Sequence, residues 1–199
     1  MRRIVLASSN PGKIREIRAV LAPLHFEVVP QSDYAVPEAG EPHTTFIENA
    51  LAKARNACVR AGLPALADDS GICVDALGGA PGVQSARFAG EPKSDERNNR
   101  RLLELLAQTD DRRAHYYCVI VLMRRADDPQ PVLAEGEWHG EILRAPRGGG
   151  GFGYDPLFLD PQLGRSGAEL PMADKNRVSH RGKALAVLAQ RLVGALRSA

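Results

Sequence analysis

Asp68-Asp69-Ser70-Gly71 sets two adjacent carboxylates between the apolar runs Leu63-Pro64-Ala65-Leu66-Ala67 and Ile72-Cys73-Val74. Asp is disfavoured in buried strands and an unpaired buried carboxylate is costly, so the pair implies a cation, a strong hydrogen-bond network or a solvent-filled cleft. At a strand end such a pair suits Mg²⁺, which takes oxygen from one or two carboxylates and completes its octahedron with waters and substrate phosphates. Asp-Asp-Ser-Gly is also good turn chemistry. Taken alone the tetrapeptide favours the turn, so other segments must decide.

Four of them carry suitable groups. Ser8-Ser9-Asn10-Pro11-Gly12-Lys13 lies between a strand pattern and a helix pattern, where free helix N–H groups attract anions. It is not a Walker A loop, because Ala7 stands where that motif needs its first Gly and Ile14 replaces its hydroxyl; taken alone it favours an ordinary strand-to-helix turn with a surface lysine. Glu41 and Lys53 flank the start of a helix and could reach the same place, or be solvated as most single charges are. Phe152-Gly153-Tyr154-Asp155 follows a run of glycines and offers either a stacking face for a base or two core aromatics. In Asp174-Lys175-Asn176-Arg177-Val178-Ser179-His180-Arg181, Ser179 reads as an N-cap that sets His180 and Arg181 in a helix's first turn. The dipole disfavours cations there, and an anionic or carbonyl-bearing ligand would offset it. The histidines show no metal-ligand spacing.

Those residues need elements to place them. Strands are expected at Ile4–Ala7, Phe26–Val29, 115–123, 132–142 and Leu157–Leu159, with a hairpin turn at Asp127-Asp128-Pro129. Helices are expected at 13–21, at 46–61 after the capping box Thr45/Glu48, at 95–108 with Leu102, Leu103, Leu105 and Leu106 inward, and at 179–196. The apolar side of the last runs from Ala184 and Leu185 to Val193 and Leu196. This order is α/β: a central mixed sheet flanked by helices, in one domain spanning 1–199 with two lobes and a cleft between them.

At 199 residues the chain can bury one substantial core, and 44% hydrophobic with 25% charged residues argues against disorder. A net charge of +2 does not imply a nucleic-acid partner. Cys58, Cys73 and Cys118 form no paired framework, the apolar run at the start is short for a signal peptide, and no stretch would span a membrane. A cytoplasmic protein is expected.

In order and spacing, Ser8–Lys13, Thr45-Phe46-Ile47-Glu48-Asn49-Ala50, Asp68–Gly71, Gly78-Gly79-Ala80-Pro81-Gly82, Gly151–Pro156 and Ser179–Arg181 together resemble the Ham1/RdgB family of inosine/xanthosine triphosphate pyrophosphatases. The resemblance implies an elongated two-lobed α/β homodimer that hydrolyses deaminated purine nucleoside triphosphates with Mg²⁺. Carried onto this chain, it puts triphosphate contacts on Ser8, Ser9, Asn10, Pro11, Gly12 and Lys13. Metal carboxylates fall on Glu41 and Asp69, with Asp68 beside them, and the acid/base on Asp69. Ser70 contacts the nucleotide, Phe152, Gly153, Tyr154 and Asp155 form the stacking motif, and Lys175, His180 and Arg181 contact base and phosphate. Lys13 and Lys53 would steady charge on the phosphoryl oxygens. Two other readings stay open: a Maf-like pyrophosphatase of modified or pyrimidine triphosphates, and a nucleotide-binding regulator that does not hydrolyse. Gly148 to Gly151 suggest a mobile connector.

Overall fold

The computed structural model describes residues 2–197, with side chains described for 3–192, so the side chains of Val193 and Leu196 lie outside those described. The elements run β1 Arg2–Leu6, α1 Pro11–Leu21, β2 Phe26–Pro30, α2 Phe46–Ala61, β3 Ala65–Val74, α3 Asp95–Leu105, β4 Arg113–Met123, β5 Val132–Ile142, β6 Phe158–Asp160, β7 Arg165–Ser166, α4 Met172–Val178 and α5 His180–Arg197. Seven strands form one sheet in the order β2-β1-β3-β4-β5-β6-β7. β1 is parallel to β2 and β3, whereas β5, β6 and β7 pair antiparallel. The sheet is therefore mixed, as the element order implies.

The chain divides into two compact units, Met1–Asp69 with Cys118–Gly136 and Arg181–Ala199, and Ser70–Tyr117 with Glu137–His180. The first has a core of Ile4, Leu6, Ile17, Leu66, Ile120 and Leu185 among others, in which α1 and α5 bury their apolar faces on β1, β3 and β4. The second is built on Ile72, Leu102, Tyr116, Trp138, Ile142 and Phe158. Trp138 supplies bulk there, and its one polar atom is satisfied when Nε1 donates to Asp160 Oδ2 at 2.8 Å.

The Asp-Asp pair lies in neither a turn nor a strand end. β3 runs unbroken for ten residues with Asp68 and Asp69 in its middle, and nearly all of it is buried. Its place between β1 and β4 explains this, because an interior strand of a covered sheet has no solvent face. Successive side chains on a strand point to opposite faces, so the two carboxylates are sent to different neighbours.

Several ends differ from the sequence pattern for local reasons. Pro11 opens α1 two residues early, with Asn10 as the cap. Thr45 Oγ1 accepts from Glu48 N as a capping box requires, but Glu48 turns its carboxylate back onto that hydroxyl at 2.6 Å. α3 stops at Leu105, which leaves Leu105 exposed while Leu102 and Leu106 are buried. An unforeseen short helix, α4, precedes Ser179. The glycines at 148–151 do not mark a loose connector: a Cβ on Gly148 or Gly150 would fall within 3 Å of Ala168 backbone atoms, and one on Gly151 within 2.2 Å of Asp155 Oδ2. Gly148 and Gly150 are small because the Ala168 backbone passes close by and Gly151 because the Asp155 side chain does, whereas a Cβ on Gly149 would meet open space.

Gly140 on β5 makes the same point inside the sheet, since an added Cβ would sit 2.3 Å from Leu159 O and 2.6 Å from the Phe158 ring. Gly140→Ala should destabilise the protein by about 2–3 kcal/mol through overpacking. Denaturant unfolding should show a lower midpoint at unchanged slope, and an unchanged midpoint would contradict this packing.

Candidate active site

In the first unit Asp68 and Asp69 have taken separate sets of partners. Asp68 is fully enclosed and its Oδ2 receives two cations, Lys13 Nζ at 3.0 Å from α1 and Arg181 Nε at 3.2 Å from α5. Arg181 is itself only 2% exposed and also donates from Nη1 to Glu16 Oε2 at 2.6 Å. Burial opposes the charge on Asp68, but Lys13 and Arg181 outweigh it and hold its carboxyl well below the usual carboxylate range. Burial likewise opposes the Arg181 charge, and the carboxylates of Asp68 and Glu16 overcome it. The awkward cation in the first turn of α5 is thus answered by internal carboxylates, with Glu16 supplied by a position that no sequence signal singled out.

Asp69 faces α2. Its Oδ1 accepts from Lys53 Nζ at 2.7 Å, and the same ammonium reaches Glu41 Oε1 at 2.9 Å. Its Oδ2 is 3.4 Å from Asn49 Nδ2. Asn49, one turn before Lys53 and 1% exposed, also accepts from His43 N at 3.1 Å and donates to His43 O at 3.2 Å. It therefore fixes the loop that carries Glu41. In the sequence Asn49 stands only as part of the Thr45–Ala50 segment, with no role of its own; its burial is the signal that only folding reveals.

Burial raises the Asp69 pKa, and although Lys53 and Lys13 pull it back, Glu41 adds to the rise and the net shift is upward. For Lys53, burial works against the ammonium, yet Asp69, Glu41 and Asp68 together raise its pKa. Both groups hold protons more firmly than usual, Asp69 chiefly because it is buried and Lys53 because the surrounding carboxylates outweigh its burial. The result is a carboxylate with heightened basicity beside a firmly cationic lysine, a pair able to accept a proton and steady negative charge.

The Ser8–Lys13 segment is less open to anions than its position suggests. Asn10 Oδ1 accepts from Gly12 N at 2.8 Å and Lys13 N at 3.2 Å, and Asn10 N is bonded to Ser8 Oγ at 3.2 Å. Ser9 Oγ bonds Glu38, and Pro11 has no N–H to give. The Lys13 ammonium and the positive end of α1 are what this segment chiefly presents to an anion.

Among the described residues, no group of three or more His, Cys, Asp or Glu side chains is arranged to hold a metal. Asp69 and Glu41, whose oxygens converge on one ammonium, offer a pair of hard oxygen donors of the kind divalent cations take. Asp68 spends its charge on Lys13 and Arg181 instead.

The second unit gathers the remaining expected residues. Ser70 is half-buried on β3. Tyr154 is a core residue, 3% exposed, with its hydroxyl donating to Ser85 O at 2.8 Å. Asp155, also buried, accepts from Phe152 N at 2.8 Å and from Lys175 Nζ at 2.6 Å. Lys175 Nζ lies 4.7 Å from the centroid of the half-buried Phe152 ring. Phe152 is therefore the aromatic of the pair that stays near the surface, backed by a cation. Gly153 takes a left-handed φ of +62° to make the turn. His180 is 5% exposed and stacks on Tyr116 with centroids 4.6 Å apart. Ser179 closes α4, its N–H bonded to Lys175 O at 2.8 Å, in an extended conformation that leads into α5.

The Ham1 family model matches residues 4–191. Over 195 residues the chain is 65% identical to the dITP/XTP pyrophosphatase of Ralstonia nicotianae, covering 96% of this chain and 97% of that one. It is 65% identical over 192 residues to the dITP/XTP pyrophosphatase of Nitrosomonas europaea, covering 96% and 95%. Among solved structures, a HAM1 protein from Coxiella burnetii superposes with a TM-score of 0.92 at 47% identity, covering 98% of this chain and 100% of that one. The Staphylococcus aureus Ham1 protein gives 0.88 at 39%, with the same coverage. Match over almost the whole length, in both sequence and fold, establishes that this chain belongs to the Ham1 family.

Proposed function

We propose that the protein is a nucleoside triphosphate pyrophosphatase that hydrolyses ITP, dITP and XTP to the monophosphate and pyrophosphate, removing deaminated purines from the nucleotide pool. One observation carries the chemistry: Asp69 and Glu41 converge on Lys53 at 2.7 and 2.9 Å. The names of the relatives support the substrate class.

Asp69 takes a proton from a water whose oxygen bonds the α-phosphorus. The bond from that phosphorus to the bridging oxygen breaks, and pyrophosphate leaves with the electron pair. The upward shift of Asp69 makes it a better proton acceptor than an ordinary aspartate. Lys53 holds Asp69 in line and, with Lys13, neutralises charge growing on the phosphoryl oxygens. Asp69 and Glu41 are the ligands assigned to Mg²⁺, which when bound adds Lewis-acid stabilisation of that same charge. Asp68 stands behind them, holding Lys13 and Arg181.

Recognition of the base is assigned to the second unit. Phe152 is the stacking platform, with Lys175 and Asp155 beneath and beside it. N–H donors at the start of α5, around His180, select the purine 6-oxo group, because adenine offers an amino donor there and donor would oppose donor. The Arg181 side chain, engaged by Glu16 and Asp68, contributes through the position of the helix start. A cytoplasmic homodimer is the form in which we place the enzyme; among the described residues no helix is long and apolar enough to cross a membrane.

Asp69→Asn should lower kcat by about 10²–10⁴-fold with the circular dichroism spectrum unchanged; retention of full turnover would remove Asp69 from the mechanism. Lys53→Met should cost about 10²-fold or more in kcat, since it also leaves Asp69 and Glu41 without their shared cation. Across ITP, dITP, XTP, GTP, ATP and UTP with Mg²⁺, pyrophosphate release should be fast for the first three. Equal rates for ATP or UTP would overturn the assigned selectivity.

A further inference from the structure

The Phe152-Gly153 turn is held by two side chains of α3 that neither the mechanism nor the sequence motifs use. Gly153 N donates to Asp95 Oδ2 at 2.7 Å, and Gly153 O accepts from Asn99 Nδ2 at 2.9 Å. Asp95 and Asn99 are four residues apart, one turn of the same helix, so they stand on one face and grip both polar ends of a single residue. The neighbouring Asn98 anchors that helix turn in the opposite sense: it is 2% exposed, accepts from Ala89 N at 2.8 Å and donates to Ala86 O at 3.1 Å. The grip is therefore mounted on a fixed part of the unit.

Gly153 needs such a grip. Its left-handed φ is one that a glycine adopts freely, and no atom lies within 4 Å of where its Cβ would be, so neither sterics nor packing restrains it. The residue before it carries the Phe152 ring. On the other side of that ring the loop is tied by Asp155 to Phe152 N and to Lys175. Asp95 and Asn99 hold the opposite side of the turn, at the residue next to the one that carries the ring.

Asn99 also keeps its carboxamide oxygen buried with no hydrogen-bond partner among the described residues. A buried unsatisfied acceptor costs stability. The amide cannot be turned over to relieve the cost, because its oxygen would then face Gly153 O.

We propose that Asp95 and Asn99 are positioning residues for base recognition: they clamp the Gly153 peptide groups so that the Phe152 ring is preset for the nucleobase. This rests on the nucleotide reading of the site. It predicts a defect confined to the base-bearing part of the substrate.

The test measures kcat and KM for ITP together with the inhibition constant of inorganic tripolyphosphate, which has no base, in Asn99→Ala, Asp95→Ala and Asp95→Asn. The alanine variants should each raise KM for ITP about tenfold, the scale of one lost hydrogen bond in a preset site. Their kcat and the tripolyphosphate constant should stay within about twofold of wild type. Asp95→Asn keeps an acceptor for Gly153 N and should restore KM, which a role through charge alone would not allow. Unchanged KM in both alanine variants, or equal weakening of ITP and tripolyphosphate, would overturn the clamp while leaving the proposed activity standing. A wild-type protein that leaves ITP intact would overturn the substrate assignment and the clamp with it.

Discussion

Two carboxylates side by side in a strand buried on both faces are the constraint around which the first unit is arranged. Neither can be left unpaired, since an isolated buried carboxylate costs several kcal/mol even after relaxation. The two-residue period of a strand forbids them from sharing a partner on one face. Asp68 accordingly draws Lys13 from α1 and Arg181 from α5, and Arg181 in turn requires Glu16. Asp69 draws Lys53 and Asn49 from α2, and through them Glu41 and the loop around His43. Three helices and a loop are thereby brought to one short stretch of β3.

The division of labour follows from this geometry. Asp68 is charge-compensated twice over and its proton is held off, which suits a structural anion and makes it a poor proton acceptor. Asp69 is raised chiefly by its burial, with the one lysine it shares with Glu41 pulling back only in part, which suits a base. Identical side chains, one residue apart, are set to different tasks by which face of the sheet they occupy. The second unit solves a different problem, that of keeping a glycine turn still, and does so with Asp155, Lys175 and the polar face of α3.

Much of the fold was legible because it depends on local pattern. The β1 and β2 runs, the capped helix α2, the β4/β5 hairpin and the mixed α/β order all follow from periodicity, caps and turn residues. The structure departs from the local pattern where tertiary contacts decide. Asp-Asp-Ser-Gly reads as a turn by composition, but partners on both faces keep it extended. The glycines from 148 to 151 suggest mobility, yet Ala168 crowds Gly148 and Gly150 and Asp155 crowds Gly151. The amides expected to greet an anion after Pro11 are taken by the Asn10 side chain.

By itself the sequence determined the inventory and the family: the acidic pair, the lysines, the aromatic after the glycines, and an order of motifs that matches Ham1 proteins along nearly the whole chain. Those are properties of residue type and spacing, and they survive without coordinates. Only the tertiary structure decided which carboxylate meets which cation, that Tyr154 is core while Phe152 is not, and that Glu16, Asn49, Asp95 and Asn99 matter at all. The physical reason is the same in each case. Such pairings join residues 16 and 181, 49 and 69, or 99 and 153. Over such separations no local propensity acts, and burial and charge alone select the partner.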